Sequence, residues 1–278
     1  MSLKLMYITN NPSVARIAQD AGVDRIFIDM EYIGKEERQA GLDTVKSQHT
    51  IKDIENIRPV LTKSELLVRV NPIHNKTEEY CSSEEETDKA IKAGADILML
   101  PMFKTADDVR RFVKAVDGRA KVMLLLENRQ AVENLDEILS VDGIDEIHIG
   151  LNDLHLSYGM KFMFQLLSDG TVDKLCNKFC EKNIPYGFGG IARIGYGMLP
   201  AEYVIKEHYR LGSQCAILSR AFCNVNKINE ISEIERIFNI EMTNIRNTEK
   251  YAESMTEKDL ESNHRTVVKL VNEIVEKM

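Results

Sequence analysis

The stretch KVMLLLENRQAVENLDEILSVDGIDEIHIGLNDLHLSYG, residues 121–159, has the pattern of a strand, a helix and a second strand. Residues 122–126 are a short, continuously apolar run, which is typical of a strand covered on both faces. Apolar residues then recur at helical spacing, and residues 146–150 form the second predicted strand. Strands joined by a helical crossover run parallel, so we expect Glu127 and Asp153, which follow the two strands, at the same end of one sheet.

Two carboxylates that meet at such an edge repel each other unless a cation or a proton lies between them. Each acid alone has a simpler explanation. Asp153 could be the N-cap of its helix, and Glu127 could be stabilised by the positive end of the dipole of the helix that follows it. Together they match Mg²⁺, which commonly takes one or two carboxylates and leaves its other positions to water and substrate oxygens. We therefore predict that Glu127 and Asp153 bind Mg²⁺, Mn²⁺ or another divalent cation.

The same alternation of strand and helix runs through most of the chain, and strict alternation predicts a parallel sheet. Eight units favour closure into a (β/α)8 barrel, and 278 residues are enough for a single barrel domain of about 250 residues. After the last strand, a C-terminal helical extension is expected at about 225–278, with helices at 228–238 and 259–275. The predicted strands are 3–8, 26–29, 66–70, 97–100, 122–126, 146–150, 186–189 and 215–219.

Five segments resemble, in order and at plausible spacings, the HpcH/HpaI aldolase and citrate lyase beta-subunit family. They are IFIDMEYI, LLVRVN, GADILMLPMFKTADDV, LLENRQAVENLDEIL and GIDEIHIGLNDLHLSYG. The resemblance implies a TIM barrel, a homo-oligomer, and a metal-dependent carbon–carbon lyase or aldolase. Such an enzyme acts through the pyruvate-type enolate of a 2-oxo acid, with an aldehyde as second reactant. Two alternatives stay open: an acyl-CoA lyase of the citrate or malyl-CoA type, and a metal-binding barrel without catalysis that serves in binding or assembly.

Arg69 lies in a predicted buried strand, where a guanidinium is costly unless it faces an internal carboxylate or a ligand. The resemblance places Arg69 against the pyruvate moiety and Asp29 close to the water shell of the metal. It also implies that Glu31 orients solvent or Arg69, although a salt bridge to a Lys or Arg of the following segment is an equal alternative. Backbone N–H groups of Asn152 and Asp153, at a helix start, are predicted to hold the substrate carboxylate.

The proton-transfer group is left open by two departures from the family pattern. Family members often have a His where this chain has Tyr32, and a Gln where it has Leu125. His49 is the candidate base that we favour, and His74 and His155 are weaker candidates, because an uncharged imidazole can move a proton near neutral pH.

A Schiff-base mechanism needs a buried lysine, and the sequence disfavours one. We predict Lys4 as the only lysine on a strand, near the wrong end, and Lys104 follows its strand.

Two loops remain with alternative interpretations. Residues 32–50 form a charged insertion, predicted as a lid or a contact to a neighbouring subunit, unless it is a solvated surface loop. Residues 186–197 contain five glycines and Arg193, which indicates either an anion site or a tight turn.

Composition limits the partners. The formal charge of −8 argues against nucleic acid and anionic membranes, and no apolar run approaches the roughly 18 to 20 residues of a membrane span. The N-terminal sequence lacks the charged and apolar regions of a signal peptide, so a cytoplasmic enzyme acting on a small molecule is expected.

Overall fold

The computed structural model describes residues 2–35, 47–228 and 230–278, and within them the chain forms a closed barrel of eight parallel strands. Each strand pairs with the next along the chain, and β1 pairs with β8 to close the sheet. The predicted (β/α)8 TIM barrel is confirmed. The strands are β1 Lys4–Ile8, β2 Arg25–Asp29, β3 Glu65–Arg69, β4 Ile97–Leu100, β5 Lys121–Leu126, β6 Glu146–Ile149, β7 Tyr186–Ile191 and β8 Cys215–Leu218.

Helices connect the strands on the outside of the barrel, and several follow a residue whose side chain accepts from an N–H group of the first turn. Thr105, for example, accepts from the Asp108 N–H in a reciprocal capping box. The helices are α1 Pro12–Asp20, α2 Ile51–Ile57, α3 Ser83–Lys92, α4 Ala106–Val116, α5 Arg129–Glu133, α6 Leu135–Ile138, α7 Leu151–Ser157, α8 Gln165–Ser168, α9 Thr171–Glu181, α10 Ala201–Arg210, α11 Ile231–Glu253 and α12 Glu257–Lys277.

Alternate residues of each strand face the inside of the barrel. On β2 these include Phe27 and Asp29, and the strand register places Asp29 directly beside Arg69 of β3. The middle of the barrel is filled by a buried layer: Met6, Phe27, Leu67, Ile97, Met99, Met123, Leu125 and Cys215.

A buried ion cluster closes the amino-terminal end of the barrel. Arg25 is fully buried, donates to both carboxylate oxygens of Glu146 at 2.7 and 2.5 Å, and donates to Glu65 at 2.9 Å. Lys121 Nζ contacts the other oxygen of Glu65 at 2.6 Å. Ligand access to the barrel interior is therefore restricted to the opposite end.

The C-terminal extension consists of two long helices. The predicted end of the first helix at residue 238 is wrong, because α11 continues to Glu253. Met242, Ile245 and Ala252 extend its buried stripe, and Glu249 accepts from the backbone N–H of Leu3 at 2.7 Å. Glu249 lies on the buried face of this stretch, and a charged residue there interrupts the apolar periodicity.

The additional C-terminal helix α12 is confirmed, and it packs on α8 and α10 of its own barrel. Glu207 of α10 is fully buried and bonds both Asn263 Nδ2 and His264 Nδ1 at 2.9 Å. This contact is intramolecular, and the homo-oligomer stays a prediction.

The ends of the predicted insertion at 32–50 are anchored beside the barrel. The backbone N–H groups of Tyr32 and Ile33 donate to Asn71 Oδ1 at 2.8 and 2.9 Å, and the Tyr32 hydroxyl donates to the carbonyl oxygen of His49. Residues 36–46 lie outside the described residues, so the lid or subunit-contact role stays a prediction. No helix in the described part of the chain is both long enough and apolar enough to cross a membrane.

Candidate functional site

A cavity of about 370 Å³ opens at the carboxyl ends of the strands. One half of its wall is charged and comes from β2, β3, β5 and β6 with the segments that follow them. The other half comes from β7, β8 and β1 with the segment after β8, and it combines apolar side chains with Ser219, Asn224 and one cation, Arg220. The predicted residues that line this cavity are Asp29, Arg69, Glu127, Asn152 and Asp153.

Asp29 and Arg69 form the most extensive contact in the charged half. Arg69 Nε and Nη2 each donate to Asp29 at 2.8 Å, so the guanidinium grips the carboxylate with two parallel bonds. Arg69 Nη1 lies 3.3 Å from Glu31 Oε2. Both alternatives for Arg69 thus have structural counterparts, because it pairs with an internal carboxylate and also lines the cavity.

Lys35 also belongs to this cluster, and the sequence analysis missed it. Its buried ammonium lies 2.6 Å from Asp29 Oδ2 and 3.9 Å from Glu31 Oε2, and it lines the cavity. Glu31 therefore contacts both Arg69 and a lysine of the following segment, the two alternatives that the sequence left open. Burial alone would raise the pKa of Asp29, but the charges of Arg69 and Lys35 outweigh it and hold that pKa well below its usual range.

The expectation about lysines is therefore wrong in two respects. Lys121 begins β5, so Lys4 is not alone on a strand, and Lys35 reaches the cavity from the segment after β2. Strand patterns pointed to Lys4 and Lys104, whereas Lys35 follows β2 by six residues. Lys35 Nζ is held by Asp29, and a Schiff base requires an amine that can attack a carbonyl.

His49 is buried beside this cluster instead of being exposed. Its Nδ1 accepts from the Asp29 backbone N–H at 3.1 Å, which places the proton of the neutral ring on Nε2. Burial lowers the pKa of His49. His49 is not among the described residues that line the cavity, and its role as a base stays a prediction.

The two weaker histidine candidates have structural contacts. Both ring nitrogens of His74 lie 2.7 Å from carbonyl oxygens, those of Pro72 and Cys81. His155 is buried in α7, with Nδ1 3.1 Å from the carbonyl oxygen of Leu151. Within the described structure neither ring lines the cavity.

Glu127 is buried at the end of β5 and lines the cavity. Its Oε1 accepts from the backbone N–H of Met102 at 3.1 Å. Met102 has φ +52°, an uncommon conformation for a residue with a side chain, and such residues concentrate at functional sites. Gly150 leaves room for this carboxylate, because a Cβ there would lie 2.9 Å from Glu127 Cβ and 3.1 Å from its Oε2.

Asp153 is half-buried at the start of α7, two residues after Leu151. Gly150 occupies the cap position, so the simpler interpretation of Asp153 as the helix cap is wrong. Asn152 is exposed and also lines the cavity. The first turn of a helix has N–H groups without intrahelical partners, and these point toward the helix start.

The charged half of the cavity fits a divalent cation. Three acids, Asp29, Glu127 and Asp153, and two cations, Lys35 and Arg69, line this half, which gives it a formal charge of −1. The described residues contain no group of three or more His, Cys, Asp or Glu that could hold a metal by themselves. Mg²⁺ does not require such a group, because water and substrate oxygens complete its shell.

His148 of β6 also lines the cavity, and the sequence analysis did not select it. The ring is fully buried, and burial lowers its pKa to about 4. The position of His148 two residues before Gly150 could have identified it from the sequence, because alternate residues of a strand share a face.

The glycines of β7 serve close packing. A Cβ on Gly187 would lie 2.1 Å from the carbonyl oxygen of Cys215, so the residue must be glycine for β7 and β8 to approach. Arg193 Nε donates to the carbonyl oxygen of Phe222 at 2.6 Å. These contacts give Gly187 and Arg193 structural roles, and the anion site stays a prediction.

Solved structures with the same fold include an HpcH/HpaI aldolase from Desulfitobacterium hafniense DCB-2, with a TM-score of 0.59 and 18% identity. That match covers 78% of this chain and 86% of the other. A second is an HpcH/HpaI aldolase/citrate lyase family protein from Burkholderia cenocepacia J2315, with a TM-score of 0.60 and 16% identity over 88% and 95% of the two chains.

Curated relatives include the 2-keto-3-deoxy-L-rhamnonate aldolase of Escherichia coli, which is 24% identical over 176 residues. The match covers 52% of this chain and 58% of the relative, so this chain spans less than two thirds of that protein's length. A family model described as HpcH/HpaI aldolase/citrate lyase matches residues 4–163, which include Asp29, Arg69, Glu127 and Asp153. With more than half of its length matched, the chain belongs to the HpcH/HpaI aldolase/citrate lyase family.

Proposed function

We propose that this protein is a divalent-metal-dependent lyase or aldolase that makes or breaks a carbon–carbon bond through the pyruvate-type enolate of a 2-oxo acid. One observation carries the proposal: Arg69, Glu127 and Asp153 line a single cavity at the carboxyl ends of the barrel strands. This is the face on which TIM-barrel enzymes build their active sites. The family membership and the aldolase names of curated relatives support the same reaction class.

Glu127 and Asp153 would hold the cation, which when bound supplies Lewis acidity to the oxygens of the oxo acid. Arg69 adds a fixed positive charge. Its Nη1 lies 3.3 Å from Glu31, whereas Nε and Nη2 lie 2.8 Å from Asp29, so Nη1 is the nitrogen that a substrate oxygen can share. Asp29 keeps the guanidinium plane in place through its two bonds, so the donor needs little reorganisation during the reaction.

Substrate placement follows from the charge of the walls. The carboxylate of the oxo acid would lie against the backbone N–H groups of Asn152 and Asp153, and its reactive carbon would face the β7, β8 and β1 half of the cavity. An aldehyde there would meet Ile8 and Ile217 as apolar walls, with Ser219, Arg220 and Asn224 as the polar groups of the same half.

Oxaloacetate decarboxylation is the most economical test, because it needs enolate stabilisation but no aldehyde. We expect the purified protein with added Mg²⁺ to decarboxylate oxaloacetate and to release pyruvate from the adduct of pyruvate and glycolaldehyde. Glu127→Gln and Asp153→Asn should each lower both rates by at least about 10²-fold, as when a catalytic charge is removed. Calorimetric titration with Mn²⁺ should show weaker binding in both variants.

Asp142→Asn is the matched control, because Asp142 is an exposed acid on a loop before β6 and does not line the cavity. It should keep the rates and the Mn²⁺ affinity. Full activity in excess chelator, or wild-type turnover in either cavity variant, contradicts the metal proposal. Cleavage of malyl-CoA without either of these reactions would favour the acyl-CoA alternative, and Mn²⁺ binding without any turnover would favour a barrel that has lost catalysis.

A further inference from the structure

His148 lines the cavity together with four strand residues whose side chains form no hydrogen bonds: Ile8 of β1, Leu125 of β5, Gly189 of β7 and Ile217 of β8. Tyr7 of β1 also lines the cavity, and its hydroxyl donates to the carbonyl oxygen of Cys223. A polar group in an apolar wall costs free energy unless it has a partner, so the contacts of the ring are informative.

The ring has a defined orientation. His148 is the register partner of Gly187 on β7, and Gly187 is in turn the partner of Cys215 on β8. His148 Nδ1 lies 3.8 Å from Cys215 Sγ, at the same level of the barrel as Gly187. Nε2 lies 3.3 Å from the carbonyl oxygen of Gly189, which is two residues nearer the cavity. Nε2 is therefore the nitrogen on the cavity side.

The protonation state follows from these neighbours. The pKa of about 4 makes His148 neutral at physiological pH, with one ring proton. The Gly189 carbonyl oxygen can only accept, which places that proton on Nε2. Burial raises the pKa of the Cys215 thiol to about 12, so its S–H can donate to Nδ1. His148 thus presents an uncharged N–H donor whose bond to Gly189, at 3.3 Å, is long enough to be exchanged for a better one.

The position of this donor around the barrel decides what it can contact. Arg69, Glu127 and Asp153 occupy the side where the oxo acid is proposed to bind, and β7, β8 and β1 form the side left for the aldehyde. His148 is on β6, and its Nε2 points toward β7, at the border between the two halves. The carbon–carbon bond that is made or broken would lie at that border.

We propose that His148 is a catalytic hydrogen-bond donor, whose Nε2–H binds the oxygen on the carbon that becomes the aldehyde. The inference rests on the proposed function and adds to it a substrate oxygen and its donor. In cleavage, the hydroxyl proton leaves to water and this oxygen becomes the aldehyde oxygen. The electron pair of the broken carbon–carbon bond stays on the pyruvate carbon, which then takes a proton from water. His148 keeps its proton throughout, as neutral imidazoles do when they act as electrophiles.

The experiment compares His148→Gln with His148→Asn. The glutamine amide nitrogen reaches the position of Nε2, and the asparagine amide nitrogen reaches only that of Nδ1. Release of pyruvate from the pyruvate–glycolaldehyde adduct should fall about 10²- to 10³-fold in the asparagine variant and about 10-fold or less in the glutamine variant. Oxaloacetate decarboxylation, which has no aldehyde oxygen, should fall far less than cleavage in both.

His208→Gln is the matched control. His208 is equally buried on the outer side of β7, stacked on Phe188 at 3.8 Å, with its pKa lowered by burial to about 3. It should change the melting temperature without changing the ratio of the two reactions.

Equal losses of both reactions in the two His148 variants would overturn the inference, as would wild-type cleavage in the asparagine variant. Nitrogen-15 NMR of the folded protein at pH 7 provides a readout that is independent of turnover. It should show the Nε2–H tautomer of His148, and a charged ring or an Nδ1–H tautomer would also overturn the inference. A wild-type protein without either reaction but with the Nε2–H tautomer would overturn the proposed function instead.

Discussion

Arg69 offers the sharpest test, because its pairing and its predicted catalytic role affect different measurements. Arg69→Ala removes both 2.8 Å bonds from Asp29, a carboxylate that is 1% exposed, and leaves Lys35 at 2.6 Å as a remaining cation. Breaking a buried pair by removing one partner typically costs about 3 to 5 kcal/mol. Because Lys35 remains, we expect a loss near the lower limit, about 3 kcal/mol of unfolding free energy.

The pH dependence of stability gives an independent check. The folded-state pKa of Asp29 is held below its unfolded value. The ionised carboxylate therefore stabilises the fold above about pH 4, near the unfolded pKa, and this stabilisation decreases as the pH falls toward the folded pKa. Urea unfolding of the wild type should therefore show a loss of free energy between pH 5 and pH 2. Arg69→Ala should show a smaller loss over the same range, because its Asp29 pKa is less depressed.

Turnover separates pairing from catalysis. Arg69→Lys keeps the charge but loses the planar fork, so we expect oxaloacetate decarboxylation per folded molecule to fall about 10²- to 10³-fold in both Arg69 variants. The control for stability is Arg111→Ala, whose bonds to Glu84 are partly exposed and should contribute less than about 1 kcal/mol.

Two results would refute this reasoning separately. If Arg69→Ala unfolds within about 1 kcal/mol of the wild type, as an exposed pair would, the buried pair is not an important source of stability. If turnover per folded molecule is unaltered while stability falls, Arg69 neutralises Asp29 and has no part in catalysis.

Two further predictions concern Gly150 and His264. Gly150→Ala would place a Cβ 2.9 Å from Glu127 Cβ and displace the carboxylate. We therefore expect the Mn²⁺ affinity and the decarboxylation rate to fall about 10-fold or more. Wild-type values in calorimetry and kinetics would contradict the assigned geometry. The bond to Glu207 raises the pKa of His264, so its contribution to stability is present below about pH 6.5 and declines as the pH rises through the raised value. His264→Gln should remove about 0.5 to 1 kcal/mol of that decline between pH 6 and pH 8.5 in urea unfolding, and an unchanged pH slope would show that the pair contributes nothing.

The sequence by itself determined the barrel and the principal acids of the cavity. Short apolar runs and helical stripes are local properties, and their eightfold alternation leaves a parallel barrel as the favoured solution. Glu127 and Asp153 could be selected because Glu127 directly follows β5 and Asp153 lies four residues after the end of β6. Arg69 could be selected because a guanidinium in an apolar strand needs a partner, although the sequence did not identify that partner as Asp29.

Tertiary structure decided the contacts that the proposed chemistry uses. Asp29 and Arg69 are 40 residues apart, and strand register brings them together. Lys35 lies in the segment after β2, whose direction no strand periodicity describes, so its approach to Asp29 was not predictable. The proposed role of His148 depends on Gly189 and Cys215, which lie 41 and 67 residues further along the chain. Local pattern sets which face of a strand a residue occupies, but neighbouring strands and loops set its partners, and these partners set its charge state.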